Sequence, residues 1–243
     1  MIGSRRQRAQ ELLATLRGSL IVSVQAARGE PLFAPEHILA MSLSVINGGA
    51  RGLRLESAEH IAFVRKRTGV PIVGLIKDES VPEEDRLKKV YITPTFHDCA
   101  AIAHAGADVV ALDATMRRRP DDSTVEEIIK RVHDELDKLV WADVSTAEDG
   151  ANAARAGADI ISTTLSGSTE ETRVSPETPP DFPLLSKLVE ATKLPIILEG
   201  RVWTPDDVKE AYRRGAWAVV VGSAITRPQL ITNRFVKALP HLS

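Results

Sequence analysis

The chain has 243 residues, 43% of them apolar and 26% charged, an ordinary globular composition that excludes disordered, collagen-like and low-complexity classes. Its 31 Lys and Arg against 33 Asp and Glu leave a formal net charge of −2, so no basic excess points to nucleic acid or to an anionic membrane surface. Cys99 stands alone and cannot form an internal disulfide or a thiolate metal cluster, and no apolar run approaches the ~18 residues of a membrane span.

Arg5, Arg6 and Arg8 give a basic start, but Glu11, Arg17 and Gly18 interrupt the apolar stretch of about 7–15 residues that a secretory signal needs. The expectation is a cytoplasmic protein with a helix before its first strand. Short β-branched runs then follow in order: Leu20–Val24, Gly52–Leu55, Pro71–Ile76, Asp108–Leu112, Leu139–Ala142, Asp159–Ser162, Pro195–Leu198 and Trp217–Val221. Brief apolar runs bounded by turn residues suit strands buried on both faces, as parallel strands are.

The stretches between them read as helices. Over 124–138, Val125, Ile128, Ile129, Val132 and Leu136 share one face. Ser123 with Glu126 forms a capping-box pattern, and Thr204-Pro205-Asp206-Asp207 reads as a cap, a first-turn proline and first-turn acids. Gly106, Gly157 and Gly215 are placed to end helices in the left-handed conformation just before a strand, and Gly48-Gly49 reads as a helix stop. No Gly-x-Gly-x-x-Gly follows the first strand, which disfavours an open dinucleotide-binding sheet. Eight strand–helix units predict a (β/α)8 TIM barrel, one domain over 1–243. Residues 78–90, DESVPEEDRLKKV, predict a solvated loop over one end, and 163–180 a long loop or lid after the sixth strand.

In such a barrel the chemistry sits at strand C-termini. These are Ser23 and Gln25, Arg54, Lys77, Asp113, Asp143, Thr163-Thr164, Glu199-Gly200-Arg201 and Gly222-Ser223, a polar ring at the mouth. The loops after strands seven and eight are the usual phosphate site, where Gly200, Gly222 and Ser223 let backbone N–H groups approach an anion. Arg227 lies close enough in sequence to add a bidentate contact. Lys77 and Glu199 follow the apolar runs VPIVGLI and LPIIL. In a dry mouth their pKa values can be displaced, and together they can remove and return a proton beside a carbonyl; the other reading is a buried ion pair between them. His37, His60, His97, His104, His133 and His241 form no ligand pair; most are expected to face solvent or cap helices in the outer layer, with His97 placed nearer the rim, so no metal site is expected. Cys99 is expected to pack rather than react.

Ten segments in order carry a family resemblance: LIVSVQAARGEPL at 20–32, GGARGLRLES at 48–57, PIVGLIK at 71–77, YITPT at 91–95, AGADVVALDAT at 105–115, RRRP at 117–120, ADVST at 142–146, ISTTLSG at 161–167, LEGR at 198–201 and VVVGSAITRP at 219–228. With them the chain resembles the N-acetylmannosamine-6-phosphate 2-epimerase (NanE) family. The resemblance implies reversible inversion at C2 of a 2-acetamido sugar phosphate, N-acetylmannosamine 6-phosphate to N-acetylglucosamine 6-phosphate, in sialic acid breakdown. It implies Lys77 and Glu199 as the acid/base pair, and Gln25, Arg54, Asp143 and Arg201 as substrate contacts. Gly200, Gly222, Ser223 and Arg227 would hold the phosphate. No metal, flavin or nicotinamide cofactor is implied, the partner is a small sugar phosphate, and a homodimer is left open. The chain departs from the family pattern at Val24, where Cys is common, at Ser168, where Tyr is common, and in the length and acidity of 78–90.

Two other functions stay open on the sequence. A Schiff-base aldolase or lyase would also use a strand-end Lys and would be trapped by borohydride at Lys77. A non-catalytic sugar-phosphate sensor would need the rim but not the acid/base pair.

Overall fold

Alternation along the eight apolar runs decides which way each strand-end residue points. The computed structural model describes residues 5–240, and each run is a strand in it: β1 Leu20–Val24, β2 Gly52–Glu56, β3 Ile72–Leu75, β4 Val109–Asp113, β5 Leu139–Asp143, β6 Ile160–Ser162, β7 Ile196–Leu198 and β8 Ala218–Val221. All neighbouring pairs are parallel, and β8 returns to β1 to close the barrel. Closure leaves no edge strand. The helices are α1 Arg5–Leu16, α2 Pro35–Asn47, α3 Ala58–Arg65, α4 Phe96–His104, α5 Val125–Leu136, α6 Ala147–Arg155, α7 Phe182–Ala191, α8 Pro205–Arg213, α9 Ser223–Thr226 and α10 Pro228–Val236. The fold is a (β/α)8 TIM barrel.

Two hydrophobic clusters correspond to the two faces of the sheet. Ile21, Val73, Leu75, Val109, Ala111, Leu139, Trp141, Ile160, Ile197 and Val220 fill the interior, with Leu12, Leu13 and Leu16 of α1 packed against them. The alternate residues, among them Val22, Leu53, Leu55, Val110, Leu112, Val140 and Leu198, pack outward with the helices. The expected helix before β1 thus joins the interior cluster.

The left-handed stops occur as the sequence predicts, with φ of +106°, +95° and +90° at Gly106, Gly157 and Gly215. Gly48 caps the end of α2, and Thr204 caps α8 reciprocally with Asp207. The box expected at Ser123 and Glu126 is displaced by one residue. Thr124 caps α5 with Glu127, because Asp121 engages the Ser123 hydroxyl at 2.6 Å. His60 is a second correction: it is buried on α3, edge-on to Phe33 at 5.0 Å. His37, His97 and His104 are exposed, His133 pairs with Asp159 at 2.8 Å, and His241 lies outside the described residues. Cys99 is buried, and desolvation pushes its thiol up to about 12, which makes it an inert packing group.

The 78–90 segment is largely exposed and includes a 3-10 turn at Glu83–Asp85. Arg117 staples it down, donating from Nη1 to the carbonyls of Arg86, Leu87 and Lys89 at 2.9, 3.2 and 3.1 Å. Its Nη2 meets Asp113 at 2.5 Å. Asp113 is therefore spent on loop anchoring and on Thr115.

Trp141 is the largest fully buried side chain of the barrel interior. Trp141→Ala should lose about 3–5 kcal/mol of stability, measured by urea unfolding; a cost below ~1 kcal/mol would show that the interior can collapse around the hole.

Candidate active site

Because the interior has a period of two, Trp141 and Asp143 project inward together, as do Arg54 and Glu56 from β2. Arg54 and Asp143 are 1% and 0% exposed. They meet in a fork: Nη1 donates to Oδ1 at 3.2 Å and Nη2 to Oδ2 at 2.6 Å, a bidentate geometry that only Arg offers. Trp141 Nε1 donates to the same Oδ1 at 3.0 Å, and the guanidinium lies 5.6 Å from the centre of the Trp141 ring. Arg54 Nε is 3.3 Å from Glu199 Oε1. Burial works against the guanidinium charge, but Asp143 and then Glu199 outweigh it and raise its pKa above the ordinary value.

Glu199 follows β7. Its main chain is pinned by Thr163, whose hydroxyl donates to the Glu199 carbonyl at 2.9 Å and accepts from the Glu199 N–H at 3.1 Å. Thr164 Oγ1 reaches the Glu199 side chain at 3.2 Å. Desolvation pushes the Glu199 carboxyl up to about 7; Arg54 opposes the rise, Asp143 adds to it, and Thr164 and Lys77 oppose it. A carboxyl that changes charge near neutrality suits proton transfer.

Lys77 lies just past β3. Residues 91–93 fold back antiparallel over it, with Asp78 N–H on the Tyr91 carbonyl at 2.8 Å and Thr93 N–H on the Ile76 carbonyl at 2.7 Å. Its Nζ donates to Gln25 Oε1 at 2.7 Å and pairs with Glu56 at 3.0 Å. Gln25 in turn donates to Ser23 Oγ at 2.9 Å. Lys77 and Glu199 thus have separate partners, and no direct ion pair joins them.

These groups face one cavity of about 510 Å³ at the C-terminal mouth of the barrel. It is lined by Gln25, Arg54, Lys77, Glu199, Gly200, Arg201, Gly222 and Ser223 among others, with Asp143 beneath Arg54. A larger open groove of about 700 Å³ lies nearby under the 78–90 loop and holds none of these residues. On the β7–β8 side the chain leaves β7 through Gly200 at φ +105° and Arg201 at φ +58°, a turn that suits glycine at the first position. Arg201 lines the cavity but also ties down the lid, donating to Pro179 O at 3.1 Å and closely to Ser166 O. The lid itself borders the cavity with Gly167, Ser168, Val174, Ser175 and Pro176. Arg227 sits beside the cavity rather than on it, closely ion-paired with Glu30, which also accepts from Gln229 at 2.9 Å. Among the described residues no group of three or more His, Cys, Asp or Glu is placed to hold a metal ion, and no helix is long and apolar enough to cross a membrane.

The sequence reading missed Glu56, Trp141 and Tyr91 as parts of this site. The signal for the first two was their spacing: Glu56 is two residues past Arg54 and Trp141 two before Asp143, so each shares an inward face with a residue already singled out. Tyr91 required the 91–93 fold-back, which has no periodic signature.

The family model for NanE, “Putative N-acetylmannosamine-6-phosphate epimerase”, matches residues 38–241. The chain belongs to this family. The relatives include “Putative N-acetylmannosamine-6-phosphate 2-epimerase” proteins from Thermosynechococcus vestitus, 46% identical with 94% of this chain and 96% of that one covered. Another from Caldanaerobacter subterraneus is 43% identical with 93% of each covered. The solved structure of the N-acetylmannosamine-6-phosphate 2-epimerase from Clostridium perfringens superposes with a TM-score of 0.86 at 38% identity, covering 94% and 96% of the two chains. A thiamine phosphate pyrophosphorylase from Pyrococcus furiosus, at TM-score 0.59 and 18% identity, shares the fold alone. Membership in the NanE family makes this chain an epimerase, an isomerase by class.

The raised Glu199 carboxyl also has a stability signature. Between the ordinary carboxylate range and about pH 7, the folded chain keeps a proton on Glu199 that the unfolded chain has lost. The unfolded state then binds fewer protons, so this contribution to stability falls as pH rises through that window. Glu199→Gln should therefore gain stability relative to the native chain as pH is raised from about 5 to about 8. A difference that stays flat with pH, measured by denaturant unfolding, would contradict the assignment.

Proposed function

We propose that the chain interconverts N-acetylmannosamine 6-phosphate and N-acetylglucosamine 6-phosphate by removing the C2 proton of the ring-opened sugar and returning a proton to the other face, within sialic acid and amino sugar breakdown. One observation carries the reading: Glu199, titrating near 7, and Lys77 occupy separate partner networks on different strands of one mouth. The names and similarity of the NanE relatives support the substrate.

The chemistry follows from acidity. Only the aldehyde at C1 acidifies the C2 proton. In one direction the Glu199 carboxylate takes that proton, the C2–H electron pair moves to form the C1 enolate, and the Lys77 ammonium returns a proton to C2 from the opposite face. The reverse direction exchanges the two roles, and proton exchange with solvent returns both groups to their starting states between turnovers. Arg54 at the cavity floor and the Gln25 amide beside Lys77 are the donors this reading assigns to the developing enolate oxygen, and such preset donors act most strongly where water is excluded. The phosphate is placed on the β7–β8 side, against the backbone at Gly200, Gly222 and Ser223, at the end where TIM barrels commonly hold one. Arg227 would join it by leaving Glu30.

Positioned acid/base groups contribute about 10²–10⁴-fold. Lys77→Ala and Glu199→Ala should each lose that much turnover with the barrel intact, and product made in deuterated water should carry deuterium at C2. Full activity in Glu199→Ala, read by proton NMR, would sink the acid/base assignment.

Removing Arg227 should act on binding instead. Arg227→Ala should raise KM for the phosphorylated sugar about tenfold or more through loss of a charge-assisted contact, leaving kcat nearly unchanged. Equal turnover of phosphorylated and unphosphorylated sugars by the native chain would refute the phosphate placement.

A further inference from the structure

Thr164 belongs to the 3-10 turn Thr163–Leu165 that follows β6. Its Oγ1 has three polar neighbours: Asp143 Oδ1 at 2.6 Å, Ser162 Oγ at 2.8 Å and Glu199 Oε2 at 3.2 Å. A threonine hydroxyl has one proton and two lone pairs. Two of its neighbours are carboxyl groups, so its proton can serve only one of them at a time.

We propose that Thr164 is a positioning residue whose hydroxyl turns between Asp143 and Glu199, so that Glu199 keeps a hydrogen bond to it whether or not Glu199 carries a proton. The proposal rests on the reading of Glu199 as an acid/base group. With Glu199 protonated, its O–H donates to Thr164 Oγ1 and Thr164 donates to Asp143. With Glu199 ionised, the Thr164 O–H turns about its C–O bond and donates to Glu199. The proton of Thr164 stays on its own oxygen throughout; the proton that Glu199 exchanges goes to or comes from the substrate carbon.

Asp143 tolerates the loss because its two oxygens keep three other donors: Arg54 Nη1 at 3.2 Å, Arg54 Nη2 at 2.6 Å and Trp141 Nε1 at 3.0 Å. Glu199 has no comparable reserve. The charged groups that bear on it are Arg54 from β2, Lys77 beyond β3 and Asp143 from β5. Of these only Arg54 is in ion-pair contact, at 3.3 Å, and its Nε makes no hydrogen bond to any acceptor. Thr164 is thus the hydrogen-bond donor available to the ionised Glu199 side chain. Without it, ionisation of Glu199 is opposed by burial and by Asp143 with less to offset them.

The test is the pH dependence of kcat in the native chain, Thr164→Val, Thr164→Ser and Glu199→Gln. Valine keeps the shape and deletes the hydroxyl. A hydrogen bond to an ionised group corresponds to about one pH unit or more, so Thr164→Val should move the limb that belongs to Glu199 upward by about that much. In the direction in which Glu199 takes the proton, its kcat at neutral pH should fall about fivefold, its KM should change less than about twofold, and Thr164→Ser should restore both limb and rate. If Thr164→Val is too slow to assay, a carboxyl-carbon NMR titration of Glu199 reads the same upward shift without turnover. A limb or titration left in place by Thr164→Val, while Glu199→Gln abolishes it, overturns the proposal and leaves the acid/base reading standing. A native limb that survives in Glu199→Gln overturns both.

Discussion

The fork between Arg54 and Asp143 is the contact on which the rest of the mouth depends. Both side chains are essentially without solvent, and a buried pair of this kind gains little over apolar residues of the same volume, whereas deleting one partner costs about 3–5 kcal/mol. Stability alone therefore does not account for an ion pair inside a barrel whose interior cluster is built of Val, Ile, Leu, Ala and Trp. What the pair does is fix a charged floor at a defined height. Trp141 from below and Thr164 from the side complete the donors around Asp143, and Glu199 then sits above that floor with one face against Arg54.

From that arrangement Glu199 and Lys77, the two ends of the proposed proton path, acquire different environments. Glu199 is pushed up to about 7 by burial, held back by Arg54 and raised further by Asp143. Lys77 is held by Glu56 and Gln25 on the opposite side of the opening, where β1, β2 and β3 meet. Had the two been ion-paired with each other, each would have had to break that pair before it could meet a substrate. In the proposed reaction, separate anchors leave the space between them for the sugar carbon, where an inversion needs it, since the proton must leave one face and return to the other.

Strand positions were legible because parallel barrel strands are buried on both faces and so appear as short apolar runs. The rule that chemistry sits at their C-termini then named Arg54, Lys77, Asp143 and Glu199 directly. What remained illegible was pairing between strands. Nothing in β2 read alone says that Glu56 meets Lys77, and nothing near Arg227 says that Glu30, far away in sequence, takes its guanidinium. Asp113 shows the converse. It ends its strand as Asp143 does, yet Arg117 turns it to loop anchoring, and the basic run at 117–119 gave no sign of which acid it would find. The cap of α5 slipped by one residue for a similarly local reason, since Asp121 competed for Ser123.

The lid is fastened differently from the floor, and the difference bears on function. Ser145, Thr169 and Thr172 share hydroxyl contacts of 2.7–2.9 Å, and Arg201 donates to carbonyls of Ser166 and Pro179. Apart from the Arg201 guanidinium, these are neutral hydrogen bonds, each contributing about 0.5–1.5 kcal/mol net, whereas the floor is a desolvated ion pair whose rupture strands a charge. The structure therefore places its costly contacts where the reacting groups must not move. Its weaker ones lie in the loop that borders the cavity, where the proposed sugar phosphate would enter and leave. Arg201 belongs to both systems, because it borders the cavity while holding the lid. In the proposed reaction, a sugar phosphate that drew this guanidinium inward would take it from the carbonyls of Ser166 and Pro179, so one side chain would answer both to the ligand and to the loop.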